Sequence, residues 1–452
     1  MEFTELRGCP VPAGRLTWWR PTVARHRSWQ ADSRGAAQNP REHLRAVVER
    51  GGTAGHPTWL GSGFRLSHQD RAGLSRALSR WHDHHEALRS HLAPDSTSPP
   101  RWTLPPGGVT VRPELVGDLT DGREVRHHIE RFFNSATDPR SWPHTVFATV
   151  EDATGVQLYF AGDHGILDCY SMAQAAHEIR TLARGGELAR PAGSFLDFAP
   201  VERDQSTRGT LRQKAGDAWR AFLDDRQGGC PRYPGSPGTG GRRVEQTSGH
   251  RQLLDAETAE RLSVGGRLLG GSTFSTVLAC VGLATARTTG VAEVPLVTLL
   301  HTRDERWRGT LGWFAGLAPL RARVDPGTEL PQLVPEMDLR LRALAPLAQV
   351  PLPTVDRLLG TPVEPRFAVS YVDLRRLPGS RRWADWDNRL LRSRIWAGDE
   401  FYLWFTRDHQ GLSVSYRHPG TRAWRPVVRC LLDSLCHQLG TAARHAEREL
   451  VR

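Results

Sequence analysis

The sequence predicts a mixed α/β fold that is divided between two lobes. Alternating apolar residues, which are typical of half-buried strands, recur along the chain and are followed by stretches with helical periodicity. A length of 452 residues exceeds what one ordinary hydrophobic core holds. Residues 226–243 are rich in glycine and proline, as an inter-lobe linker would be. These features together indicate one core before the linker and a second core after it.

In the first half, strands are expected near 64–68, 145–151 and 156–162. The last of these strands carries the period-two pattern of Val156, Leu158 and Phe160. A helix is expected after Ser171, because five apolar residues share one face and a glycine pair follows as a stop: Met172, Ala175, Ala176, Ile179, Leu182, then Gly185 and Gly186. Ser171 and Gln174 have the spacing of a capping box, which would begin this helix at Ser171.

In the second half, strands are expected at 294–300, 317–324, 367–372, 401–406 and 412–416. A final amphipathic helix carries its apolar residues on one side: Val428, Leu431, Leu432, Leu435 and Leu439. The first 50 residues or so are rich in arginine and tryptophan, and part of them, especially 33–40, is expected to be flexible. The predicted division is a first lobe at 1–200, a helix and linker at 201–245, and a second lobe at 246–452.

Charge and hydropathy exclude several classes of function. The net charge of +11 is spread along the chain, and no nucleic-acid-binding signature accompanies it, so no nucleic-acid partner is expected. The longest near-apolar run, 277–286, has the length of a buried helix rather than of a membrane span. The first residues lack a signal-peptide pattern, so a cytoplasmic protein is expected. A basic surface also suits an acidic carrier protein or the phosphates of a pantetheine thioester.

The cysteines and histidines do not predict a metal site. The six cysteines are scattered, without a C-x-x-C pair. Three of them, Cys280, Cys430 and Cys436, fall in apolar helical stretches and are expected to be inert core thiols. The run of His82, His84, His85 and Glu86 is interpreted as a solvated polar turn rather than as a ligand set.

The most informative residues are His164 and Asp168, which fall in the short loop between the strand at 156–162 and the helix after Ser171. A neutral imidazole is the usual group that takes a proton from a hydroxyl or an amine near pH 7. A histidine that is only hydrogen-bonded into the loop would give the same pattern.

The segment around His164 resembles the H-H-x-x-x-D-G motif of the condensation-domain superfamily. This superfamily contains the amide- and ester-forming domains of nonribosomal peptide synthesis, free-standing polyketide-associated acyltransferases and, more distantly, chloramphenicol acetyltransferase. Other stretches resemble further motifs of the superfamily, in the same order: 74–78 leading to 85–89, 195–199, 218–223, 272–279, Arg303 with 311–321, and 367–371. The resemblance covers most of residues 60–440.

The resemblance implies an α+β two-layer sandwich in each of two chloramphenicol-acetyltransferase-like lobes, set in a V with a tunnel between them. It implies an acyltransferase that moves an acyl or aminoacyl group from a phosphopantetheine thioester, on a carrier protein or coenzyme A, to a small-molecule hydroxyl or amine. No bound cofactor is implied. A free-standing role in specialised metabolism, as in antibiotic biosynthesis, is expected, with a monomer as the oligomeric state.

The resemblance also implies roles for individual residues. His164 would be the general base, and Asp168 would pair with Arg303 to support the loop, with Asp163 and Ser171 assisting. The backbone N–H groups after Asp168, including that of Cys169, would stabilise an oxyanion. A set of three aromatic residues would line the tunnel: Trp313, Phe314 and Tyr371. For Trp313 and Phe314, ordinary core packing is the alternative. The alternative for Arg303 is a surface arginine beside Asp304 and Glu305.

The sequence departs from the superfamily pattern at three positions. Asp163 stands where the first motif histidine is expected, Cys169 stands at the motif glycine, and Gly316 replaces an asparagine. Asp163 is interpreted as satisfying a buried amide, although it could instead attract a cationic amine or raise the basicity of the imidazole. Cys169 is interpreted as structural, with a nucleophile as the alternative. The plant-type D-F-G-W-G motif is missing from the sequence, which argues against the plant branch.

Two other classes of function remain open from the sequence. The departures at the motif also fit a catalytically silent scaffold that binds a carrier protein or recruits an enzyme. A small-molecule acetyltransferase that uses coenzyme A directly is the third possibility.

Overall fold

The computed structural model describes residues 1–49, 58–67, 70–94, 99–189, 193–207, 209–223 and 229–450. The elements of the first half are β1 (Phe3–Glu5), β2 (Gly14–Val23), β3 (Gln30–Asp32), α1 (Gln38–Glu49), β4 (Trp59–Leu66), α2 (Arg71–His84), β5 (Ser90–Leu92), β6 (Arg101–Thr103), β7 (Val109–Leu119), α3 (Gly122–Ala136), β8 (Thr145–Asp152), β9 (Gly155–Asp163), α4 (Cys169–Ala183), α5 (Phe195–Thr207) and α6 (Gly209–Leu223).

The elements of the second half are β10 (Val244–Asp255), α7 (Ala256–Leu268), α8 (Thr273–Thr289), β11 (Glu293–His301), β12 (Ala315–Arg323), α9 (Leu330–Leu344), α10 (Leu352–Leu359), β13 (Phe367–Asp373), β14 (Arg389–Arg392), β15 (Trp396–Ala397), β16 (Phe401–Asp408), β17 (Gly411–Pro419) and α11 (Trp424–Leu450). The predicted strands and the final helix are present, with ends that differ by a few residues.

Two seven-stranded sheets organise the described residues. The first has the order β1-β14-β4-β9-β8-β2-β7, and the second has the order β12-β11-β13-β16-β17-β10-β15. Helices α2 and α4 pack on one face of the first sheet and α3 packs on the other, while α7, α8, α9 and α11 pack on the second sheet. The predicted mixed α/β class is therefore confirmed. The lobe boundaries near residues 200 and 245 stay a prediction.

Strand β2 of the N-terminal segment belongs to the first sheet, while the expected flexibility of residues 33–40 stays a prediction. Strand β2 pairs with both β7 and β8, and the buried Trp19 indole donates a hydrogen bond to Thr149 Oγ1 over 2.9 Å. An arginine of this segment also contributes to packing, since the Arg20 guanidinium lies 4.4 Å from the centre of the Phe132 ring.

A segment from the second half of the chain completes the first sheet. Strand β14 lies between β1 and β4, and it pairs in parallel with β1 and antiparallel with β4. The preceding Trp383 and Trp386 are buried in the first core at 4% and 6% exposure. Their buried rings therefore anchor the crossing segment in the first core.

Membrane-spanning potential is low among the described helices. None is by itself long and apolar enough to cross a bilayer, and α7 with α8 passes that test only as a pair bent by 93°.

Helix α1 connects elements of both halves of the chain. The Gln38 N–H donates to Glu202 Oε2 over 2.6 Å, and Gln38 Oε1 accepts a bond from Thr354 Oγ1 at 2.7 Å. Asn39 Nδ2 donates to the carbonyl of Ala315, the first residue of β12, over 3.0 Å. The helix is therefore held against α5, α10 and β12 at its N-terminus.

Glu202 should make folding stability depend on pH. Burial raises the pKa of this carboxyl group from 4.5 to about 7, so the folded state holds the proton more tightly than the unfolded state does. The stability due to this proton is complete below the unfolded pKa and is lost as the pH rises through the folded pKa. Glu202→Gln should therefore raise the free energy of unfolding at pH 8 and flatten its fall between pH 5 and 8, measured by urea denaturation. The exposed Glu187→Gln is the control, and equal profiles for both variants would contradict the assignment.

Candidate active site

The loop that carries the motif is a tight connection between β9 and α4. Strand β9 ends at Asp163, the segment His164–Ile166 forms one 3₁₀ turn, and α4 begins at Cys169. Asp168 is the N-cap of α4, since its carboxylate accepts the Ser171 N–H at 2.8 Å. The predicted capping box at Ser171 was therefore wrong by one helical turn, because the carboxylate of Asp168 caps the helix first.

His164 is oriented by its own loop. Its Nδ1 lies 3.0 Å from the carbonyl oxygen of Leu167, and because a carbonyl can only accept, Nδ1 carries the proton in the neutral ring. Among the described residues none forms a hydrogen bond with Nε2, and the side chain keeps some exposed surface. Burial, and then the charge of His43, lower the pKa of His164 below its ordinary value. The ring is therefore neutral near pH 7, with a lone pair on Nε2.

Trp313 covers one face of this imidazole. The two rings are stacked with centroids 4.0 Å apart and an interplanar angle of 25°. Trp313 precedes β12, so the second half of the chain supplies a wall of the site. Of the predicted tunnel-lining residues, it is the one that contacts His164.

The other two predicted tunnel-lining residues pack against other aromatic rings. Phe314 is 1% exposed and packs among Phe195, Phe198 and Trp307, so of its two interpretations the structure supports core packing and not a tunnel wall. Tyr371 is half-buried and stacks on Phe274 at 5.5 Å, against the core of the second sheet, so its place in a tunnel wall stays a prediction. Their apolar rings fitted a channel wall and a packed core equally well in the sequence.

The predicted pairing of Asp168 with Arg303 is present. Arg303 Nη2 lies 2.8 Å and 2.9 Å from the two carboxylate oxygens, and the two side chains are only 8% and 10% exposed. The Phe314 N–H also donates to Asp168, over 3.1 Å. The alternative of a surface arginine is therefore excluded.

Ser171 extends this pair into a link between the two halves of the chain. Its hydroxyl group contacts Asp168 at 2.8 Å, the carbonyl of Gly312 at 3.0 Å and the Gly312 N–H at 3.0 Å. Arg303 also donates to the carbonyls of Trp307 and Thr310. The N-terminus of α4 is thus joined to the loop between β11 and β12 by charged and neutral hydrogen bonds.

Gly316 stands where the superfamily pattern has an asparagine, and the structure supplies a reason. A Cβ atom at this position would lie 1.8 Å from the carbonyl oxygen of Ala348. The backbone of β12 therefore approaches the segment Leu347–Gln349 too closely for any side chain.

His43 is a residue of the site that the sequence reasoning missed. Its Nε2 lies 2.8 Å from Asp163 Oδ2, and its ring centre is 6.5 Å from that of His164. Asp163 Oδ1 accepts the Gly165 N–H at 2.8 Å, which confirms that Asp163 satisfies a buried amide. No sequence spacing connects His43 with a partner 120 positions later, and α1 begins in the segment that was expected to be flexible.

The carboxylate of Asp163 is held in its charged form. Burial alone would raise its pKa, but the charge and hydrogen bond of His43 outweigh this effect, and the pKa lies below its ordinary value. The loop therefore carries a buried negative charge immediately before His164.

Cys169 occupies the first position of α4. The N–H groups in the first turn of a helix have no partner within that helix, and the Cys169 amide is one of them. Its role in stabilising an oxyanion stays a prediction. Burial, and then the charge of Asp168, raise the pKa of its thiol to about 12. The thiol is therefore protonated at neutral pH.

Iodoacetamide at pH 8 should leave Cys169 unmodified and alkylate the exposed Cys430, because alkylation requires the thiolate and access to it. Cys169→Ala should retain most of the activity, since it keeps the backbone N–H. Mass spectrometry of tryptic peptides checks the first statement, and a covalent acyl-Cys169 species would contradict the second. The exposure of Cys430 also shows that its prediction as a core thiol was wrong, whereas Cys436 is half-buried against the second core.

The run of histidines at the C-terminal end of α2, His82, His84 and His85, is not a solvated turn. His82 and His85 are buried, and His85 Nε2 lies 2.8 Å from Glu178 Oε2, which also accepts the Trp81 indole N–H. The prediction was wrong because Glu178 reaches this run from α4, more than 90 residues away in the chain.

A pocket lies against the motif loop. Its walls come from α1, from the segment that includes β5 and from the loop itself: Pro40, Leu44, Ser90, His91, Arg101, His144, Asp163, Gly165 and Ile166. The pocket therefore reaches the residues on both sides of His164. The tunnel between the lobes that the resemblance implies stays a prediction.

Comparisons with known proteins agree on the fold. No protein-family model matches the chain. A solved structure of the PapA2 acyl transferase superposes with a TM-score of 0.82 at 20% identity, over 98% of this chain and 100% of that one. The first condensation domain of the calcium-dependent antibiotic synthetase superposes with a TM-score of 0.65 at 18% identity, over 90% and 96% of the two chains.

A comparison of sequences also finds proteins named as acyltransferases. The acyltransferase PapA3 of Mycobacterium tuberculosis is 27% identical over 273 residues, which is 58% of this chain and 56% of PapA3. The chain thus spans about half the length of the curated relatives it matches. The protein has the fold of the condensation-domain superfamily, as its motifs predicted.

Proposed function

We propose that this protein transfers an acyl group from a thioester to a hydroxyl or amine acceptor, with His164 as the general base. The observation that carries the proposal is the orientation of this imidazole. Its Nδ1–H donates to the Leu167 carbonyl, so the remaining lone pair is on Nε2, the nitrogen to which no described residue forms a hydrogen bond. Its lowered pKa keeps it unprotonated near pH 7, as a base must be.

The proposed reaction needs no covalent acyl-enzyme. Nε2 of His164 takes the proton of the acceptor as the acceptor's oxygen or nitrogen attacks the thioester carbonyl. The carbonyl oxygen becomes an oxyanion, which the Cys169 N–H at the N-terminus of α4 would stabilise. The carbon–sulfur bond then breaks, and the leaving thiolate takes up the proton from His164. Because a thioester is already activated, holding the two substrates together supplies much of the remaining rate enhancement.

The donor is proposed to be a phosphopantetheine thioester, carried by an acyl or peptidyl carrier protein or by coenzyme A. The relatives named acyltransferases support the acyl transfer, and the condensation domains belong to synthetases that work with carrier proteins. Assays with each donor and each class of acceptor decide between coenzyme A and a carrier protein, and between an ester and an amide product. A role in specialised lipid or peptide biosynthesis is consistent with the same relatives.

Donor and acceptor panels test this proposal. The purified chain is incubated with octanoyl- and palmitoyl-coenzyme A, and separately with acyl carrier protein loaded with the same acyl groups. Long-chain alcohols, sugars and primary amines serve as acceptors, and products are detected by mass spectrometry. We expect an ester or an amide that forms with the wild type and not with His164→Ala. Binding of loaded carrier protein without any product would favour the silent scaffold instead.

A further inference from the structure

We propose that His43 is a positioning residue for His164, paired with Asp163 so that the loop is held in place and the buried charge beside the imidazole is balanced. This inference rests on the proposed function, in which His164 is the base. His43 lies on α1, far from the loop in the sequence, and it is not part of the motif around His164.

The first support is the way in which Asp163 is anchored. One carboxylate oxygen lies 2.8 Å from His43 Nε2, and the other accepts the Gly165 N–H at 2.8 Å. The Asp163 N–H donates to the His144 carbonyl over 2.8 Å, and the His164 N–H donates to the Thr58 carbonyl over 3.2 Å. The Asp163 carboxylate therefore fixes the backbone on both sides of His164, because it belongs to the preceding residue and binds the N–H of the following one. His43 is the side chain that holds this carboxylate in place.

The second support is the position of the His43 ring. The ring lies against the backbone of Gly165, since a Cβ atom added to that glycine would be 3.5 Å from His43 Cδ2. Its centroid is also 6.2 Å from that of Trp313, in an edge-to-face arrangement. Trp313 in turn stacks on His164. The three rings form one cluster, so a shift of α1 would reach the imidazole both through Asp163 and through Trp313.

The third support is the balance of charge around His164. The charged and titratable groups near it are Asp163 and Asp168 on the loop, His43 on α1, His144 before β8, and Arg303 after β11. Asp168 is neutralised by Arg303. Burial lowers the pKa of His144 to about 4, so this ring is uncharged at pH 7 and does not balance Asp163. His43 is therefore the group whose pairing offsets the charge of Asp163.

Three variants separate positioning from a purely structural role. His43→Ala removes the pair and strands the Asp163 carboxylate, which should raise the pKa of His164. Asp163→Asn removes the carboxylate, which should lower that pKa. His43→Gln replaces Nε2–H with an amide N–H of similar reach, so it should keep the loop in place while the pKa of His164 still rises. Each shift should be of the order of one pH unit.

Nuclear magnetic resonance titration of the His164 ring, in the protein without substrates, measures these shifts directly. The spectrum of His164→Gln assigns the resonance, and the exposed His127→Gln serves as the control that should leave it unchanged. Shifts of opposite sign in His43→Ala and Asp163→Asn support the inference. No shift in either variant, or shifts in the same direction, would overturn it. If His43→Ala does not fold, the same decision is taken from His43→Gln and Asp163→Asn.

Kinetics provide the second readout. A base acts in its neutral form, so the acid limb of kcat/KM should move to higher pH in His43→Ala and to lower pH in Asp163→Asn. His43→Gln should recover much of the kcat that His43→Ala loses. If His164→Ala transfers acyl groups at the wild-type rate, the proposed function fails even where the titration shifts appear. If His164→Ala is inactive and the titrations do not shift, the role of His43 alone fails.

Discussion

His164→Ala is expected to lower kcat/KM for acyl transfer by about 10²- to 10⁴-fold, the range that one general base contributes. The substitution removes the Nε2 lone pair that would accept the acceptor's proton. It also removes a single hydrogen bond to the Leu167 carbonyl and the stack on Trp313, so the loss of stability should be small. Steady-state kinetics with a thioester donor, together with thermal unfolding, measure both effects.

The matched control for this variant is His127→Ala, an exposed histidine on α3 that should leave both quantities unchanged. A His164→Ala variant that turns over at the wild-type rate would rule out the base. A variant that loses activity only because it melts many degrees earlier would assign His164 to the fold instead of the chemistry.

Asp168→Ala is expected to lower the free energy of unfolding by about 3–5 kcal/mol and to reduce activity as well. The substitution leaves the guanidinium of Arg303 buried without its carboxylate, and it removes the N-cap of α4. Arg303→Ala should cost a similar amount, and the double variant should cost less than the sum, because the two side chains act as one unit. Urea denaturation of the three variants gives the coupling energy.

The neighbouring pair of Arg306 and Asp304 provides the control. These side chains lie in the same loop as Arg303 but are 59% and 47% exposed, and exposed pairs contribute about 0–1 kcal/mol. Arg306→Ala should therefore unfold close to the wild type. An Asp168→Ala variant that unfolds like the wild type but is inactive would contradict the supporting role and assign the carboxylate to the chemistry.

The part of the site that lies within one short stretch of sequence was predictable. The alternation of Val156, Leu158 and Phe160 predicted β9, and the helical periodicity after Ser171 predicted α4. Between two such elements the loop has little freedom, so His164 and Asp168 had to lie close together. The partner of Asp168 came from the resemblance, since Arg303 lies 135 positions away.

The residues that meet this loop from elsewhere in the chain were mostly not predictable. Trp313 and Phe314 are adjacent aromatic residues, yet one stacks on His164 while the other is packed in the core. Their environments depend on where β12 begins and on what packs beside it, and neither can be read from two neighbouring apolar side chains. The burial of His82 and His85 likewise depends on Glu178, which α4 brings to them.

The sequence by itself determined the local elements, the motif loop with its histidine and aspartate, and the class of fold. These depend on periodicity and turn chemistry, which act over a few residues. The tertiary structure decided that β14 crosses into the first sheet, that β2 lies inside that sheet, and that His43 faces Asp163. Such contacts arise only when distant segments are packed against each other, because the free energy of burying a side chain belongs to the assembled core and not to the residue alone.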